Sequence, residues 1–272
     1  MSEKILLVGC GRMGGALLSG WLKLGLSAQD ITVVEPFSDS VPAELASAGG
    51  TIVAGFDDLP DDLRPDAVAI AVKPQVTDEL LPPYGRFSDS VFLSIAAGRT
   101  LGYLAETLSA TSNVVSVVRA MPNLPAAVGK GMTVAVAGRT VAPAQRALCD
   151  RLLGAVGDVA WVEDEALLDP VTALSGSGPA YVFLMTECLT VAGVEAGLAP
   201  DLAARLAETT MIGAAELMRQ SPTGPTALRE GVTSPGGTTQ AALDVLMADD
   251  GLEQLMTRAV AAANIRSREL AG

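Results

Sequence analysis

Between Lys4 and Glu163, this chain of 272 residues alternates short apolar runs with helical patterns. Runs that are apolar almost throughout are typical of strands buried on both faces of a parallel sheet. Six runs predict such strands: Ile5–Val8, Ile31–Val34, Thr51–Ala54, Ala67–Val72, Val91–Ile95 and Val114–Val118. Two further runs could extend the sheet: Thr133–Ala137 and Val159–Val162. The alternation predicts a doubly wound α/β sheet over residues 1–163.

The segments between these runs have helical periodicity. They are Met13–Leu24, Pro42–Ala48, Leu101–Leu108 and Pro143–Leu153. After Glu163 the strand-like runs stop, and long Ala- and Leu-rich helices are predicted over Ala166–Leu174, Tyr181–Ala196, Asp201–Arg219, Thr239–Met247 and Leu252–Leu270. We therefore expect a second, all-helical domain over residues 164–272. Its high apolar content for a small unit predicts that part of its surface is buried against another subunit.

Composition and charge narrow the range of ligands. The chain is 49% hydrophobic but only 4% aromatic, so its core is built from aliphatic side chains. A net charge of −13 argues against nucleic acid, because binding phosphates requires cations. The three cysteines, Cys10, Cys149 and Cys188, form no CxxC pair, and the chain has no histidine, so we predict no metal site.

The sequence also bears on membrane insertion and on cellular location. The run Tyr181–Ala199 is apolar but carries Glu187 and Glu195, which favours a buried or interfacial helix over a membrane span. The N-terminus has neither a basic segment nor a cleavage site before its first strand. We expect a cytoplasmic protein.

The first predicted strand ends in a glycine motif, Gly9-x-Gly11-x-x-Gly14, and passes directly into a helix. This arrangement presents backbone N–H groups and a helix N-terminus to a pyrophosphate and is typical of a Rossmann dinucleotide site. Glu35 ends the second strand, where a carboxylate can accept hydrogen bonds from a ribose diol. Between Lys23 and Arg64 the sequence has no lysine or arginine, so Arg12, Ser38 and Ser40 are the only local candidates to bind a 2′-phosphate. NAD is therefore favoured, with NADP kept open.

Three later loops also follow strand ends, where ligands bind in sheets of this kind. They contain Ala71–Gln75, Ala96–Gly98 and Arg119–Asn123. Small residues at Ala96–Gly98 would let the backbone approach the cofactor. The predicted cofactor contacts are Gly9, Cys10, Gly11, Arg12, Met13, Gly14, Glu35, Ala71, Val72, Lys73, Pro74, Ala96, Ala97, Gly98 and Asn123.

The residues that usually serve nicotinamide enzymes acting on alcohols and ketones are missing. There is no histidine, no tyrosine is followed by a lysine four residues later, and the predicted helical domain has no lysine. A ketone needs a proton donor at its oxygen, whereas a protonated imine already carries the positive charge that makes its carbon accept hydride. The sequence therefore favours reduction of a C=N bond.

Two polar, glycine-rich segments of the helical domain could bind an anion. Thr172–Tyr181 and Gly231–Thr239 each read as a loop that runs into a helix, with amides and hydroxyls available for a carboxylate. Either could be simple helix capping. Beside a hydride donor, the pair favours a small substrate that carries a carboxylate.

Taken together, these motifs resemble the pyrroline-5-carboxylate reductases over nearly the full length of the chain. Ser175–Phe183 and Val232–Thr239 are the most specific parts of the match. The resemblance implies reduction of 1-pyrroline-5-carboxylate to L-proline by NADH or NADPH. It also implies a helical domain that interlocks two subunits, with dimers that often assemble by fives into decamers.

The resemblance further implies the substrate site. The carboxylate would bind Ser234, Gly237, Thr238 and Thr239. Glu165 and Ser177 would line the pocket near the ring, and Thr172 could hydrogen-bond the ring nitrogen or a water beside it. The substrate would lie between the nicotinamide and the partner's helical domain.

This chain departs from the family pattern at two places. Glu35-Pro36-Phe37 stands where many members carry a Ser, Asn or Arg cluster that selects the cofactor, and Gly231 stands where Asn or Gln is common. Reduction of another cyclic imine or of a deazaflavin carrier remains an alternative, as does a non-catalytic dinucleotide sensor.

Overall fold

A computed structural model describes residues 3–109 and 114–271 of the chain. It divides into two compact units. The first comprises Met1–Gly176 with Asn264–Gly272, and the second comprises Ser177–Ala263. Each unit is described separately below.

The first unit is built on one eight-stranded sheet. Its strands are β1 (Ile5–Val8), β2 (Ile31–Val34), β3 (Thr51–Val53), β4 (Ala67–Ile70), β5 (Val91–Ser94), β6 (Ser116–Met121), β7 (Gly131–Ala137) and β8 (Gly157–Trp161). The spatial order is β3-β2-β1-β4-β5-β6-β7-β8, and β1 to β6 pair in parallel. The predicted Rossmann sheet is confirmed, and its strand order reverses between β1 and β4.

The last two strands run the other way. β7 is antiparallel to β6, and β8 is parallel to β7. The short link from Met121 to Gly131 allows this, because a parallel return would need a longer crossover. β6 also continues to Met121, beyond the predicted end at Val118, because Arg119 interrupts the apolar run without interrupting the strand.

Helices cover both faces of the sheet. They are α1 (Arg12–Lys23), α2 (Ala43–Ser47), α3 (Thr77–Leu80), α4 (Leu101–Leu108) and α5 (Pro143–Gly154), with short 3₁₀ turns between them. Side chains alternate between faces along each strand, so Ile5 and Leu7 enter one core and Leu6 and Val8 the other. In the first core, the indole N–H of fully buried Trp21 donates to the carbonyl of Leu152 at 2.9 Å, which fixes α1 against α5.

The chain after β8 differs in detail from the prediction of one helix over Ala166–Leu174. A 3₁₀ turn (Glu165–Leu167) leads into α6 (Leu168–Val171), which continues as a π-helical turn over Thr172–Gly176. The expected loop before the next helix is thus helical as far as Gly176. Such π turns frequently occur at functional sites.

The second unit is helical. It contains α7 (Gly178–Glu195), α8 (Pro200–Gln220), α9 (Pro225–Gly231), α10 (Thr238–Leu246) and the first part of α11 (Leu252–Ala271). α9 was not predicted, because seven residues starting at a proline and ending at a glycine are too few to show a helical period. α7 packs closely along α8, where a methyl group on Gly193 would lie 3.2 Å from the Ala203 Cβ.

Candidate active site

The predicted cofactor residues of the first unit lie along one edge of the sheet, where β1, β2, β4 and β5 end. Backbone hydrogen bonds extend the strand register into the loops. The Gly9 amide donates to the Val34 carbonyl at 2.9 Å, and the Ala71 amide donates to the Val8 carbonyl at 2.8 Å. The Ile95 amide donates to the Ile70 carbonyl at 3.0 Å, which aligns the loop after β5 with the others.

The glycine motif is shaped by close contacts. Gly9 has a φ of +88°, a conformation that favours glycine, and a Cβ there would lie 2.7 Å from Val72 Cγ1. A Cβ on Gly14 would lie 2.4 Å from the Gly9 carbonyl oxygen. At Gly11, by contrast, a Cβ would meet no heavy atom of the described chain within 4 Å. Gly9 and Gly14 therefore build the turn, and Gly11 leaves space in front of it.

The helix that follows has a free N-terminus. α1 begins at Arg12 after Gly11, and among the described residues no side chain caps it and no acidic residue lies in its first turn. Its first N–H groups and its dipole can therefore stabilise an anion. The Arg12 side chain is exposed at this end, whereas Met13 packs partly against the core. These features fit a dinucleotide pyrophosphate.

Glu35 is tied to the glycine turn as well as to its own strand end. Its Oε2 accepts the Cys10 N–H at 2.8 Å, and its Oε1 accepts the Phe37 N–H at 3.1 Å. A carboxylate has about four acceptor positions, so both oxygens can still accept hydrogen bonds from a ribose diol. The carboxylate thus holds the turn and remains able to bind ribose.

The side chain of Cys10, within the glycine motif, points into the protein core. Its side chain is buried in the first core, and its N–H is already used by Glu35. Burial, with the nearby Glu35 carboxylate as a second cause, raises the pKa of the Cys10 thiol to about 11. The residue therefore shapes the site through its backbone, and its thiol stays protonated at neutral pH.

A partly buried ion pair connects β6 to the 3₁₀ turn Glu165–Leu167. Arg119, in the middle of β6, donates to Glu165 Oε1 at 2.7 Å, and the same oxygen accepts the Leu101 N–H at the start of α4 at 2.8 Å. The Arg119 side chain is 9% exposed and that of Glu165 is 27% exposed. Glu165, predicted to line the substrate pocket, is thus engaged in a structural contact through one oxygen. The sequence analysis did not find this pair, although a charged residue inside an apolar strand signals a buried partner.

The side chains of Asn123 and Thr172 also form hydrogen bonds within the protein. The Asn123 side chain accepts the Met132 N–H at 2.9 Å and donates to Ser175 Oγ at 3.2 Å, so it joins the start of β7 to the π turn. This use leaves one amide hydrogen for a ligand. The Thr172 hydroxyl donates to the Leu168 carbonyl at 2.7 Å, so only its oxygen lone pairs remain available.

The predicted carboxylate-binding residues of the second unit surround a tight turn. The Gly237 N–H donates to the Ser234 carbonyl at 3.0 Å, Pro235 and Gly236 occupy the central positions, and Gly236 has a φ of +70°. This residue pattern is that of a type II turn. α10 begins at Thr238, directly after it, and no side chain of the described residues caps this N-terminus. Its first amides and the hydroxyls of Thr238 and Thr239 can therefore receive an anion.

Comparison with known proteins identifies the family. Residues 165–270 match a family model described as pyrroline-5-carboxylate reductase dimerisation. The chain is 37% identical to a pyrroline-5-carboxylate reductase of Haemophilus influenzae, with 99% of this chain and 98% of that protein aligned. The chain belongs to the pyrroline-5-carboxylate reductase family. A family member of Mycobacterium leprae is 39% identical, with 98% of this chain and 96% of that protein aligned.

Solved structures agree with this assignment. The pyrroline-5-carboxylate reductase of Coxiella burnetii superposes with a TM-score of 0.91 at 32% identity, covering all of both chains. A pyrroline carboxylate reductase of Plasmodium falciparum, solved with NADP bound, superposes with a TM-score of 0.80 at 26% identity, covering 99% of this chain and 98% of that one. Residues 4–98 also match a model described as NADP oxidoreductase, coenzyme F420-dependent. The cofactor is therefore a nicotinamide dinucleotide.

The dimerisation region of this family member carries an exposed apolar helix. None of the side chains in α7 is buried within its own chain, and Phe183, Leu184 and Val191 are each more than half exposed. The helical stretch Glu165–Glu195 is long and apolar enough to cross a membrane by length and composition, with a mean hydropathy of 1.2. A dimerisation region accounts for this composition, because a helix that faces another subunit needs an apolar surface.

Proposed function

We propose that this chain reduces 1-pyrroline-5-carboxylate to L-proline. The observation that carries the proposal is the presence, in one chain, of a dinucleotide-type glycine turn and a helical region that matches the dimerisation model of this family. When bound, the reduced nicotinamide supplies the hydride. The chain's residues have to bind and orient the two reactants.

The proposed residue roles follow from the free hydrogen-bonding groups. The turn Ser234–Gly237 and the first amides of α10 bind the substrate carboxylate, with Thr238 and Thr239 adding hydroxyls. Because the Thr172 hydrogen is used by Leu168, we expect its oxygen to accept a hydrogen bond from the protonated imine N–H. Ser177 and Glu165 are proposed to line the pocket near the ring, and Asn123 is proposed to contact the cofactor. Such a site needs orientation more than a strong catalytic acid.

We further propose that NADH is preferred over NADPH. The Glu35 carboxylate is held at the end of β2 by two backbone N–H groups, and at the ribose site that we propose there its negative charge would repel a 2′-phosphate. The model that residues 4–98 match names NADP, and the Plasmodium structure was solved with NADP bound, so a preference for NADH would set this chain apart from them.

Initial-rate assays with 1-pyrroline-5-carboxylate and each cofactor test both proposals. We expect proline as the product and a higher kcat/KM with NADH. Binding of NADH without turnover of any cyclic imine would instead indicate a dinucleotide sensor, and turnover of another imine alone would change the substrate.

Changing Glu35 tests the cofactor preference directly. Glu35→Gln removes the repelling charge, but its amide keeps only one acceptor oxygen for the Cys10 and Phe37 N–H groups. A loosened turn weakens binding of both cofactors, so the ratio of their kcat/KM values isolates the charge effect and should shift about tenfold towards NADPH. Asp39→Asn is the matched control, because Asp39 is an exposed acid in the same loop. An equal shift in both variants would assign the effect to general surface charge.

Changing Thr239 tests the substrate site. Thr239→Ala removes one hydroxyl from the first turn of α10 and should raise KM for 1-pyrroline-5-carboxylate about tenfold. The Kd of NADH, measured by fluorescence, should be unchanged. A loss of NADH binding would show that this residue belongs to the cofactor site.

We propose a homodimer as the functional unit, assembled by fives into a decamer, and a cytoplasmic location. The exposed apolar side chains of α7 support the dimer, and the three free cysteines suit a reducing compartment. The domain boundary after residue 163 remains a prediction. The family model begins at residue 165, whereas the compact units divide after Gly176.

A further inference from the structure

A cluster of polar side chains joins the loop after β4 to the loop after β5. Arg99 follows Gly98 directly, and its guanidinium donates to the Pro74 carbonyl from Nε at 3.1 Å and from Nη2 at 2.7 Å. The same Nη2 lies 3.1 Å from Asp78 Oδ2. A planar fork with two N–H groups on one carbonyl fixes direction as well as distance.

Tyr103 strengthens this connection from the first turn of α4. The Arg99 guanidinium lies over the Tyr103 ring, 4.4 Å from its centroid. The Tyr103 hydroxyl donates to Asp78 Oδ1 at 2.6 Å and lies 2.8 Å from the Thr77 hydroxyl. Asp78 therefore receives both Arg99 and Tyr103, one on each carboxylate oxygen.

We infer that Arg99 and Tyr103 are positioning residues for the cofactor. They set the spacing between Lys73–Pro74 and Ala96–Gly98, two segments predicted to contact the cofactor. In a sheet of this order the dinucleotide spans the ends of β2, β1 and β4, so the loops after β4 and β5 form the nicotinamide end. The inference rests on the proposed function for the placement of the cofactor.

Because this cluster lies outside the hydrophobic cores, substitutions in it should change cofactor binding without a large loss of stability. The Arg99 side chain is 24% exposed and that of Asp78 is 62% exposed, and neither belongs to a hydrophobic core. Tyr103 packs partly against the second core with its ring, so Tyr103→Phe removes the hydroxyl contacts and keeps that packing.

Arg146 provides a matched control in the same unit. Its guanidinium lies 4.4 Å from the centroid of the Trp161 ring and 3.5 Å from the Glu163 carboxylate, so the types of contact resemble those of Arg99. Because β8 is antiparallel to β1–β6, its C-terminal end with Trp161 lies at the opposite edge of the sheet. Arg146→Met should therefore leave cofactor binding unchanged.

The experiment compares full-length wild type, Arg99→Met, Arg99→Lys, Tyr103→Phe and Arg146→Met. Hydrogen–deuterium exchange without cofactor measures residues 71–80 and 95–103, and fluorescence titration measures the Kd of NADH and NADPH. Kinetics separate KM for the dinucleotide from kcat. The exchange and binding measurements need no turnover.

We expect Arg99→Met to speed exchange in both segments and to raise the dinucleotide Kd about tenfold, with KM rising more than kcat falls. Arg99→Lys should fall between wild type and Arg99→Met, because a lysine keeps the charge but loses the fork. Tyr103→Phe should raise the Kd less than Arg99→Met does.

Unchanged exchange and unchanged Kd in Arg99→Met would overturn the inference, as would equal effects in Arg146→Met. If wild type binds NADH but does not turn over 1-pyrroline-5-carboxylate, the proposed function fails. The exchange and Kd comparison still decides the role of Arg99 in that case.

Discussion

At the residue scale, three glycines of one motif have different physical roles. A side chain at Gly14 would collide with the Gly9 carbonyl oxygen, whereas a Cβ at Gly11 would meet no heavy atom of the described residues within 4 Å. The sequence motif alone does not distinguish these roles, because it requires glycine at both positions.

Alanine substitutions at Gly14 and Gly11 distinguish a glycine needed for folding of the turn from one needed for cofactor binding. Gly14→Ala places a methyl group 2.4 Å from backbone and should lower the free energy of unfolding by about 2 kcal/mol, within the range of overpacking. Gly11→Ala should fold with unchanged stability but bind NADH at least about tenfold more weakly, because its methyl group fills the space that the pyrophosphate would enter.

Thermal unfolding and NADH titration of both variants check this contrast. If Gly11→Ala bound NADH as tightly as wild type, the pyrophosphate would not bind next to Gly11.

At the element scale, α7 is mostly apolar, and none of its residues is fully buried within the described chain. Its exposed surface is explained by the dimerisation region in which it lies. Packing against another subunit then stabilises a helix that α8 covers only in part.

A charge on this helix tests the explanation. Phe183 is 56% exposed, and Phe183→Glu should weaken dimer association at least about a hundredfold, because it puts an unpaired charge into an apolar interface. Light scattering across a dilution series measures the shift. Glu195→Gln, at the last residue of α7, is the matched control and should leave association unchanged. A wild-type chain that remains monomeric at all concentrations would contradict the homodimer.

At the scale of the whole molecule, two buried thiols link stability to alkaline pH. Burial raises the pKa of Cys10 to about 11 and that of Cys149 to about 12, with Glu35 and Asp150 as smaller causes. In the unfolded chain both thiols ionise near their ordinary pKa of about 8.5. The folded state therefore keeps protons that the unfolded state releases, and stability falls as pH rises from about 8.5 towards 11 and 12.

Urea denaturation between pH 8 and 11 measures this effect. Each buried thiol should contribute up to about 1.4 kcal/mol per pH unit to the fall in the free energy of unfolding. Cys149→Ala should make the slope shallower than in wild type, while Cys188→Ala, which removes an exposed thiol, controls for the substitution itself. Equal slopes in wild type and Cys149→Ala would show that the Cys149 thiol does not carry the predicted proton difference.

Local patterns predicted most of the fold. Apolar runs located all eight strands, and β1 and β2 have the predicted bounds. The glycine motif and Glu35 predict a dinucleotide site at the ends of β1 and β2, because such a turn is encoded by residues close together in sequence. α9 and the π turn after α6 were missed, since each is too short to show a period of its own.

The sequence by itself determined the α/β alternation, the dinucleotide motif and the lack of histidine, because each depends on residue identity and short spacing. Only the tertiary structure decided which distant residues pair. Glu35 accepts a hydrogen bond from the Cys10 N–H, and Arg119 forms an ion pair with Glu165. Arg99 donates to the Pro74 carbonyl and pairs with Asp78. These partners are 21 to 46 residues apart in the chain. Strand pairing brings them together, and no local pattern specifies which distant side chains will meet at the edge of a sheet.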